Sequence, residues 1–160
     1  MRLHGGLMMA SILSLAAASA QPVQAQQSGE AAYSEADFAR VPKFDAHVHD
    51  NVARTAFIDI ARKDGFELLS INVDYPDFPP LKLQAKAAEE HEAQDPKIFH
   101  FATAFSMDGF GEPGWSDRAI ATIDAAVAKG AVAVKVWKNI GMVVKDKQGK
   151  RVFLDDPRFD

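Results

Sequence analysis

Strand-like and helix-like segments alternate through most of this 160-residue chain. The strand-like segments are short and apolar, and the segments between them carry apolar residues at helical spacing, with Gly or Pro near their ends. The predicted strands cover 43–49, 66–73, 98–105 and 131–137, and the predicted helices cover 51–63, 81–94 and 115–129. This order predicts βαβ units built around a parallel sheet.

The end of the chain adds a predicted hairpin over 142–154, where Val, Phe and Leu lie on both sides of Lys147-Gln148-Gly149. Four strands with three crossover helices correspond to half of a (β/α)8 barrel, and a complete barrel needs about 250 residues. The fold class is therefore α/β. The N-terminal half of a TIM-type barrel, with strands 1–4 plus a hairpin, and a small open sheet both agree with this order.

Composition excludes several classes of protein. Apolar residues make up 48% and charged residues 25% of the chain, as in ordinary globular domains. The chain has no cysteine, which excludes disulfides, iron–sulfur clusters, a thiol nucleophile and cysteine-ligated zinc. Its net charge is −4, whereas nucleic-acid-binding domains are commonly basic, so we expect no nucleic-acid partner.

The N-terminal residues have the pattern of a secretory signal peptide. Arg2 precedes an apolar run over 7–18, and two sites with small residues follow, ending at Ala20 and Ala25. The run is shorter than the about 20 apolar residues of a typical membrane-spanning helix, although an uncleaved anchor is the alternative. We expect a signal peptide over 1–25, a linker over 26–40 and one domain over 41–160. The mature protein would be secreted or periplasmic and free of the membrane.

The segment 44–49 carries the strongest chemical pattern of the sequence. In a regular strand Asp45, His47 and His49 share one face, while the apolar residues between them pack under helices on the other. Two neutral imidazoles on one face can coordinate a single divalent metal ion. The alternative is a pair of surface or hydrogen-bonded histidines.

Lys135 lies within the apolar run 130–137. A buried ammonium group is costly, so this lysine must extend to solvent, pair with an acid such as Asp45, or lose its charge. A neutral lysine amine can react with carbon dioxide to form an anionic carbamate that bridges metal ions. Lys138 is the competing lysine, three residues further along the chain.

Two segments of the chain resemble the amidohydrolase superfamily. Asp45-Ala46-His47-Val48-His49 is similar to its first-strand His-x-His motif, and the segment 134–137 around Lys135 is similar to its fourth-strand lysine segment. The stretches 131–142 and 155–159 resemble the amidohydrolase-related branch, also called amidohydrolase 2. The resemblance covers about residues 41–160.

The resemblance implies a (β/α)8 barrel with one or two divalent metals, most commonly zinc. His47 and His49 would be metal ligands, and Lys135 would be the position at which several members carry a bridging carbamate. Further ligands in such enzymes are histidines of strands five and six and an aspartate of strand eight, which also handles the proton of the attacking water. That aspartate is expected beyond residue 160. The remaining histidines, His91 and His100, are expected to be solvated or structural.

The function implied by the resemblance is that of an exported metal-dependent hydrolase. Metal-activated water would attack an amide, ester or lactone carbonyl of a small-molecule substrate held by the loops 74–78, 107–115 and 137–142. The chain would be an N-terminal fragment that is inactive alone, and its unpaired sheet edges would favour homo-oligomers, aggregation or loose packing. The alternatives are a fragment of a metal-dependent decarboxylase of the same superfamily and a small exported metal-binding or interaction module without catalysis.

Overall fold

The computed structural model describes residues 33–159, which form a mixed α/β fold around a curled sheet of four parallel strands in the order β1-β2-β3-β4. Two short 3-10 turns lie near the ends of this region, at Glu35–Asp37 and Pro157–Phe159. The elements between them are β1 Lys43–Val48, α1 Ala56–Asp64, β2 Phe66–Ile71, α2 Leu81–Gln94, β3 Phe99–Thr103, α3 Trp115–Val127, β4 Ala133–Val134 and α4 Asn139–Met142.

The predicted alternation of strands and parallel crossovers is confirmed, as are the bounds of α2. The first helix differs, because it begins at Ala56 and the residues 51–55 form a loop. His91 donates a hydrogen bond to the carbonyl oxygen of Val52 at 2.8 Å. This carbonyl therefore makes a tertiary contact instead of accepting a hydrogen bond within a helix. The helix ends where predicted, before Gly65, whose φ of 72° suits a left-handed C-cap.

The fourth strand is much shorter than predicted. Only Ala133 and Val134 form a strand, and both are exposed, so the strand predicted over 131–137 is present but covers only two of those residues. Its residues pair with Ala102 and Thr103 of β3 on one side only. Among the described residues no strand lies on its other side, so β4 is an edge strand, and the apolar residues flanking it stay exposed.

The predicted hairpin over 142–154 forms only in part. One antiparallel bridge joins Lys145 to Arg151, and no regular strands flank it. The Asp146 carboxylate accepts the backbone N–H groups of Gln148 and Lys150 at 3.0 and 2.9 Å, which builds the turn from a side chain. The chain then returns to bury Val152 completely.

The predicted linker over 26–40 has a folded C-terminal part. Ser34 and Asp37 form a capping box around the 3-10 turn, and Phe38 packs on Phe66 with ring centroids 6.3 Å apart. The ammonium group of Lys43 lies 4.2 Å from the Phe38 ring centroid, within cation–π distance. The predicted signal peptide over 1–25 lies outside the described residues.

The main hydrophobic core lies between the sheet and the helices. Leu68, Phe99 and Phe101 point from β2 and β3 toward the helices and are 2%, 0% and 0% exposed. Ile58, Ala61, Ala88 and Ala126 meet them from α1, α2 and α3. Full burial of each large side chain contributes about 1.5–3 kcal/mol. This packing fixes the sheet and leaves its opposite face for the candidate metal centre.

Candidate metal centre

A β-bulge in the first strand decides which side chains share a face. Asp45 pairs with Leu68 and Val48 pairs with Ser70, so three steps along β1 match two along β2. Leu68 and Ser70 are two residues apart and share the helix-covered face, so Asp45 and Val48 lie on that face too. The prediction that Asp45 shares a face with the two histidines is therefore wrong, because it assumed strict alternation.

The bulge also changes the packing predicted for the apolar residues of β1. Val48 is 9% exposed and belongs to the core, as expected. Phe44 is 54% exposed and stacks on the His100 ring at 6.3 Å, and Ala46 is exposed. The expectation that Phe44 and Ala46 pack under helices is wrong. Asp45 lies on the helix-covered face, so its neighbour Phe44 lies on the opposite face, where it meets His100.

His47 and His49 lie next to each other at the C-terminal end of β1, with ring centroids 5.1 Å apart and an angle of 75° between the ring planes. His49 is half-buried, and its Nδ1 lies 2.7 Å from the carbonyl oxygen of Ile71 on β2. A carbonyl can only accept a hydrogen bond, so the proton sits on Nδ1. The Nε2 atom of His49 is then left with its lone pair available to a metal.

The described residues supply only part of a metal's coordination sphere. Within 33–159, no group of three or more His, Asp or Glu side chains is arranged to hold a metal ion. Catalytic zinc sites use three protein ligands and structural sites use four. The donor set of His47 and His49 therefore fits two ligands of such a centre.

Aromatic rings separate Lys135 from the histidine pair. The Lys135 ammonium lies 5.5 Å from the Trp137 ring centroid. Trp137 contacts Phe78, at 6.5 Å between centroids, and Phe78 in turn contacts His49 at 4.8 Å. Lys135 is therefore joined to His49 through two aromatic side chains, on the sheet face opposite the helices.

The two lysines that compete in the sequence lie around the same ring. The Lys138 ammonium is 5.2 Å from the Trp137 centroid, almost as close as that of Lys135. No ion pair joins Lys135 to Asp45 or to another carboxylate within residues 33–159. The structure therefore favours contact with Trp137 and solvent over the ion pair considered from the sequence.

A cavity of about 500 Å³ is lined by residues of all three predicted substrate loops, and neither His47 nor His49 lines it. Phe78 lines this cavity and also contacts His49, so one side chain connects the cavity to the histidine pair. Asp74 ties the loops together, because its carboxylate accepts the Met107 N–H at 2.9 Å and its carbonyl accepts the Asn139 side chain at 3.3 Å.

Two aromatic side chains of the predicted substrate loop 107–115 pack in a hydrophobic cluster instead of lining the cavity. Phe110 and Trp115 are 8% and 5% exposed and form a cluster with Val152 and Phe159. The Trp115 indole donates to the Ser106 carbonyl at 3.0 Å. Tyr75 and Phe78, by contrast, line the cavity, and Phe78 also contacts His49.

A buried Asp–His pair lies behind the first strand, on its helix-covered side, and the sequence analysis did not identify it. His91 is 1% exposed, so of its two expected roles, solvated or structural, it has the structural one. Its Nε2 lies 3.7 Å from Asp50 Oδ2, and burial raises the pKa of the Asp50 carboxyl while His91 and a backbone hydrogen bond oppose that shift. Gln84, Ala87 and Ala88 precede His91 at helical spacing and are also buried, and this spacing was the available signal.

His100 has the structural role expected of it. It lies early in β3 between the carboxylates of Glu67 and Glu92, at 3.7 and 3.9 Å. Burial raises the pKa of the Glu92 carboxyl, and His100 opposes that shift. This cluster sits at the end of the sheet away from the histidine pair.

No protein-family model, curated protein sequence or solved structure matches this chain. Within residues 33–159, no helix has the length and apolar character needed to cross a membrane. We therefore infer function from the residues of the candidate metal centre and from their resemblance to a known motif.

Proposed function

We propose that His47 and His49 are the first-strand ligands of a divalent metal, with zinc as the preferred ion, in a hydrolase of the amidohydrolase type. One observation carries the proposal: the His49 Nδ1–H bond to Ile71 leaves Nε2 free beside the His47 ring. Metal-ligating histidines characteristically use their second nitrogen in such a bond, which fixes the tautomer and the ring orientation.

The position of the pair in the sheet supports the same proposal. His49 directly follows β1, and the cavity that Phe78 connects to it is built from loops that follow β2, β3 and β4. In (β/α)8 barrels, active sites lie at this C-terminal end of the strands. The curled four-stranded parallel sheet is compatible with half of such a barrel.

Each residue of the centre then has a defined task. His47 and His49 would hold the metal, the Ile71 carbonyl orients the His49 ring, and Phe78 connects that ring to the cavity. When bound, the metal lowers the pKa of a coordinated water to about 7 and polarises a carbonyl group. The substrate is a small molecule with an amide, ester or lactone carbonyl, held in the cavity lined by Tyr75 and Phe78.

Lys135 is proposed as the carbamate position of this centre. Its contact with Trp137 places it on the same sheet face as the histidines. Carbamate formation needs the neutral amine, and the carbamate is an anionic oxygen donor that can bridge two metals. A mass increase of about 44 Da on Lys135, lost in Lys135→Arg and retained in Lys138→Arg, tests this assignment. An unmodified Lys135 in the zinc-loaded protein under bicarbonate would contradict it.

A metal-binding module without turnover is the second candidate. The observation that favours it is the ligand count, because residues 33–159 bring together two histidines and no third ligand. Metal binding without conversion of any amide, ester or lactone would support this candidate over the hydrolase.

Zinc titration by calorimetry tests the proposed centre. We expect His47→Ala and His49→Ala each to lower zinc affinity about tenfold or more, since loss of a direct ligand costs at least as much as loss of a supporting contact. His100→Ala is the matched control, because His100 is also a half-buried histidine of the same sheet. Equal zinc binding by the wild type and the His47→Ala/His49→Ala double variant would refute the proposal.

We also propose that the chain is exported and cleaved after Ala20 or Ala25. The support is the basic residue Arg2, the apolar run over 7–18 and the small residues that follow. Mass spectrometry of the protein from a periplasmic or culture fraction should give a mature N-terminus near these positions. Cytosolic protein that retains Met1 would contradict export.

A further inference from the structure

A cleft of about 470 Å³ opens between α2 and α3, on the helix-covered side of the sheet. Its walls are largely alanine, including Ala85 of α2 and Ala125 of α3, and its floor contains Asn72 and Thr103. The floor residues lie at the C-terminal ends of β2 and β3. Parallel α/β sheets commonly bind ligands at this edge of the strands.

The floor of the cleft contains polar atoms with unused hydrogen-bonding capacity. Asn72 is 1% exposed, and its Oδ1 has no hydrogen-bond partner in the described structure. Thr103 is 2% exposed, and its hydroxyl reaches only the Ala104 carbonyl, at 3.5 Å, the outer limit of a hydrogen bond. A buried acceptor without a partner is unfavourable, so a ligand that donates to Asn72 gains a hydrogen bond there.

The polar groups at the floor of the cleft are neutral. Of the charged residues that line the cleft, Glu89 is paired with Lys129 at 2.7 Å and Lys82 is exposed to solvent. The floor itself offers only the Asn72 carboxamide and the Thr103 hydroxyl, which are neutral. An ionic group placed against them would lose its hydration without gaining an opposite charge.

From these observations we propose that the cleft binds a small uncharged molecule that carries a primary carboxamide on a compact aliphatic body. A carboxamide offers both a donor and an acceptor, so it forms paired hydrogen bonds with the Asn72 side chain in either orientation of that amide. The aliphatic body packs against the methyl groups of Ala85 and Ala125. This site is separate from the histidine pair, which lies on the opposite face of the sheet.

The cleft is nevertheless one residue from the candidate metal centre along β2. Asn72 follows Ile71, whose carbonyl oxygen accepts the His49 Nδ1–H, and the Asn72 backbone N–H donates to Ala102 on β3. The peptide group between Ile71 and Asn72 therefore joins three strands. A ligand on the Asn72 side chain acts directly beside the group that orients His49.

Titration of the ¹⁵N-labelled full chain with cyclohexanecarboxamide, without added metal, tests the proposal. We expect saturable chemical-shift changes that are largest at the backbone amides of Asn72, Thr103 and Ala125. Cyclohexyl methyl ketone has nearly the same shape but no N–H donor, and should bind at least fivefold more weakly. Cyclohexanecarboxylate should give no saturable shift at these positions.

Two variants and a control complete the experiment. Ala125→Trp fills the mouth of the cleft from an exposed position on α3 and should abolish binding, while Asn72→Leu should reduce carboxamide binding to the level of the ketone. Ala93→Trp, at an exposed position of α2 that does not line the cleft, should bind as the wild type does.

Equal binding of carboxamide and ketone, binding that persists in Ala125→Trp, or a cleft that takes up water only would overturn the proposal. Because no metal is added, none of these outcomes bears on His47 and His49.

Discussion

The Nδ1 atom of His49 lies 2.7 Å from the carbonyl oxygen of Ile71, so the second strand orients a side chain that follows the first. The bond crosses between neighbouring parallel strands whose register is fixed by the buried core. It therefore orients the ring through a backbone acceptor, and the Phe78 ring packs against it at 4.8 Å. This hydrogen bond therefore predicts which tautomer of His49 is present before any metal is bound.

We predict that neutral His49 in the metal-free protein exists as the Nδ1–H tautomer. The carbonyl of Ile71 accepts only, so it selects the tautomer that donates from Nδ1. Long-range ¹H–¹⁵N correlation spectra should show a protonated Nδ1 and an unprotonated Nε2 for His49. The exposed His47, which has no such bond within the described residues, should show a mixture of tautomers and provides the internal comparison. An Nε2–H tautomer at His49 would contradict the proposed ligand geometry.

A second prediction concerns the acid stability of the segment near the C-terminal end. Hydrogen bonds from the Arg158 side chain lower the pKa of the Asp156 carboxyl to about 2, against a usual value of about 3.9. A carboxyl with a lowered pKa in the folded state contributes stability that is present above the usual value and is lost as pH falls through about 2. Between pH 4 and pH 2, urea midpoints should therefore fall more steeply for the wild type than for Asp156→Asn.

The control for this prediction is Asp155→Asn. Asp155 is an exposed neighbour that forms no ion pair with Arg158 in the described structure. It should follow the wild-type curve at every pH. Added salt should reduce the difference between Asp156→Asn and the wild type, since the pair is at the surface. Parallel curves for the wild type and Asp156→Asn below pH 4 would rule out this contribution.

The third prediction separates the core from the open face of the sheet. Phe99→Ala should lower the free energy of unfolding by about 3–5 kcal/mol, because Phe99 is fully buried against α1 and α2. Phe44→Ala is the matched control: Phe44 is 54% exposed, and its loss should cost about 1 kcal/mol or less. Urea denaturation of both variants checks the prediction. Equal losses would mean that Phe44 is covered in solution.

Most of the fold could be predicted because its signals are local. Helix α2 matches its predicted bounds since a run of strong helix formers lies between Pro80 and Asp95, and α1 ends at Gly65 as its φ requires. The length of β4 could not be predicted from its apolar residues. Apolar character favours a strand, but pairing and burial depend on neighbours, and β4 has one neighbouring strand in the described region.

The candidate site shows the same division between local and tertiary signals. The proximity of His47 and His49 could be predicted from their spacing, and the structure places their rings 5.1 Å apart. The position of Asp45 could not, because a β-bulge changes the face of every residue before it and leaves no mark in the apolar pattern. The burial of His91 depends on Asp50 and Val52, which are about 40 residues away in sequence.

A fourth prediction concerns the exposed edge of the sheet at β4. Val134 is 40% exposed on a strand with unpaired backbone groups on one side in the described structure, and such edges promote association between chains. Sedimentation of the full chain should show concentration-dependent self-association, and Val134→Lys should shift it toward the monomer. Ile120→Lys, which adds the same charge to an exposed site on α3 with 56% exposure, should have a smaller effect. Identical sedimentation of both variants would argue against edge pairing.

The last prediction is that the zinc-loaded chain alone does not turn over amides, esters or lactones at a measurable rate. His47 and His49 provide two ligands, whereas catalytic zinc sites need three to hold the ion with an open position for water. Two acids close to the pair in sequence are already engaged: Asp45 accepts the His47 backbone N–H at 3.1 Å, and Asp50 is buried against His91. The assay compares the wild type with His47→Ala and His100→Ala, with zinc added, on a panel of small substrates and with product analysis that also detects decarboxylation. Zinc-dependent turnover by the monomer that is lost in His47→Ala and kept in His100→Ala would overturn this prediction, and would mean that the described residues complete the centre in solution.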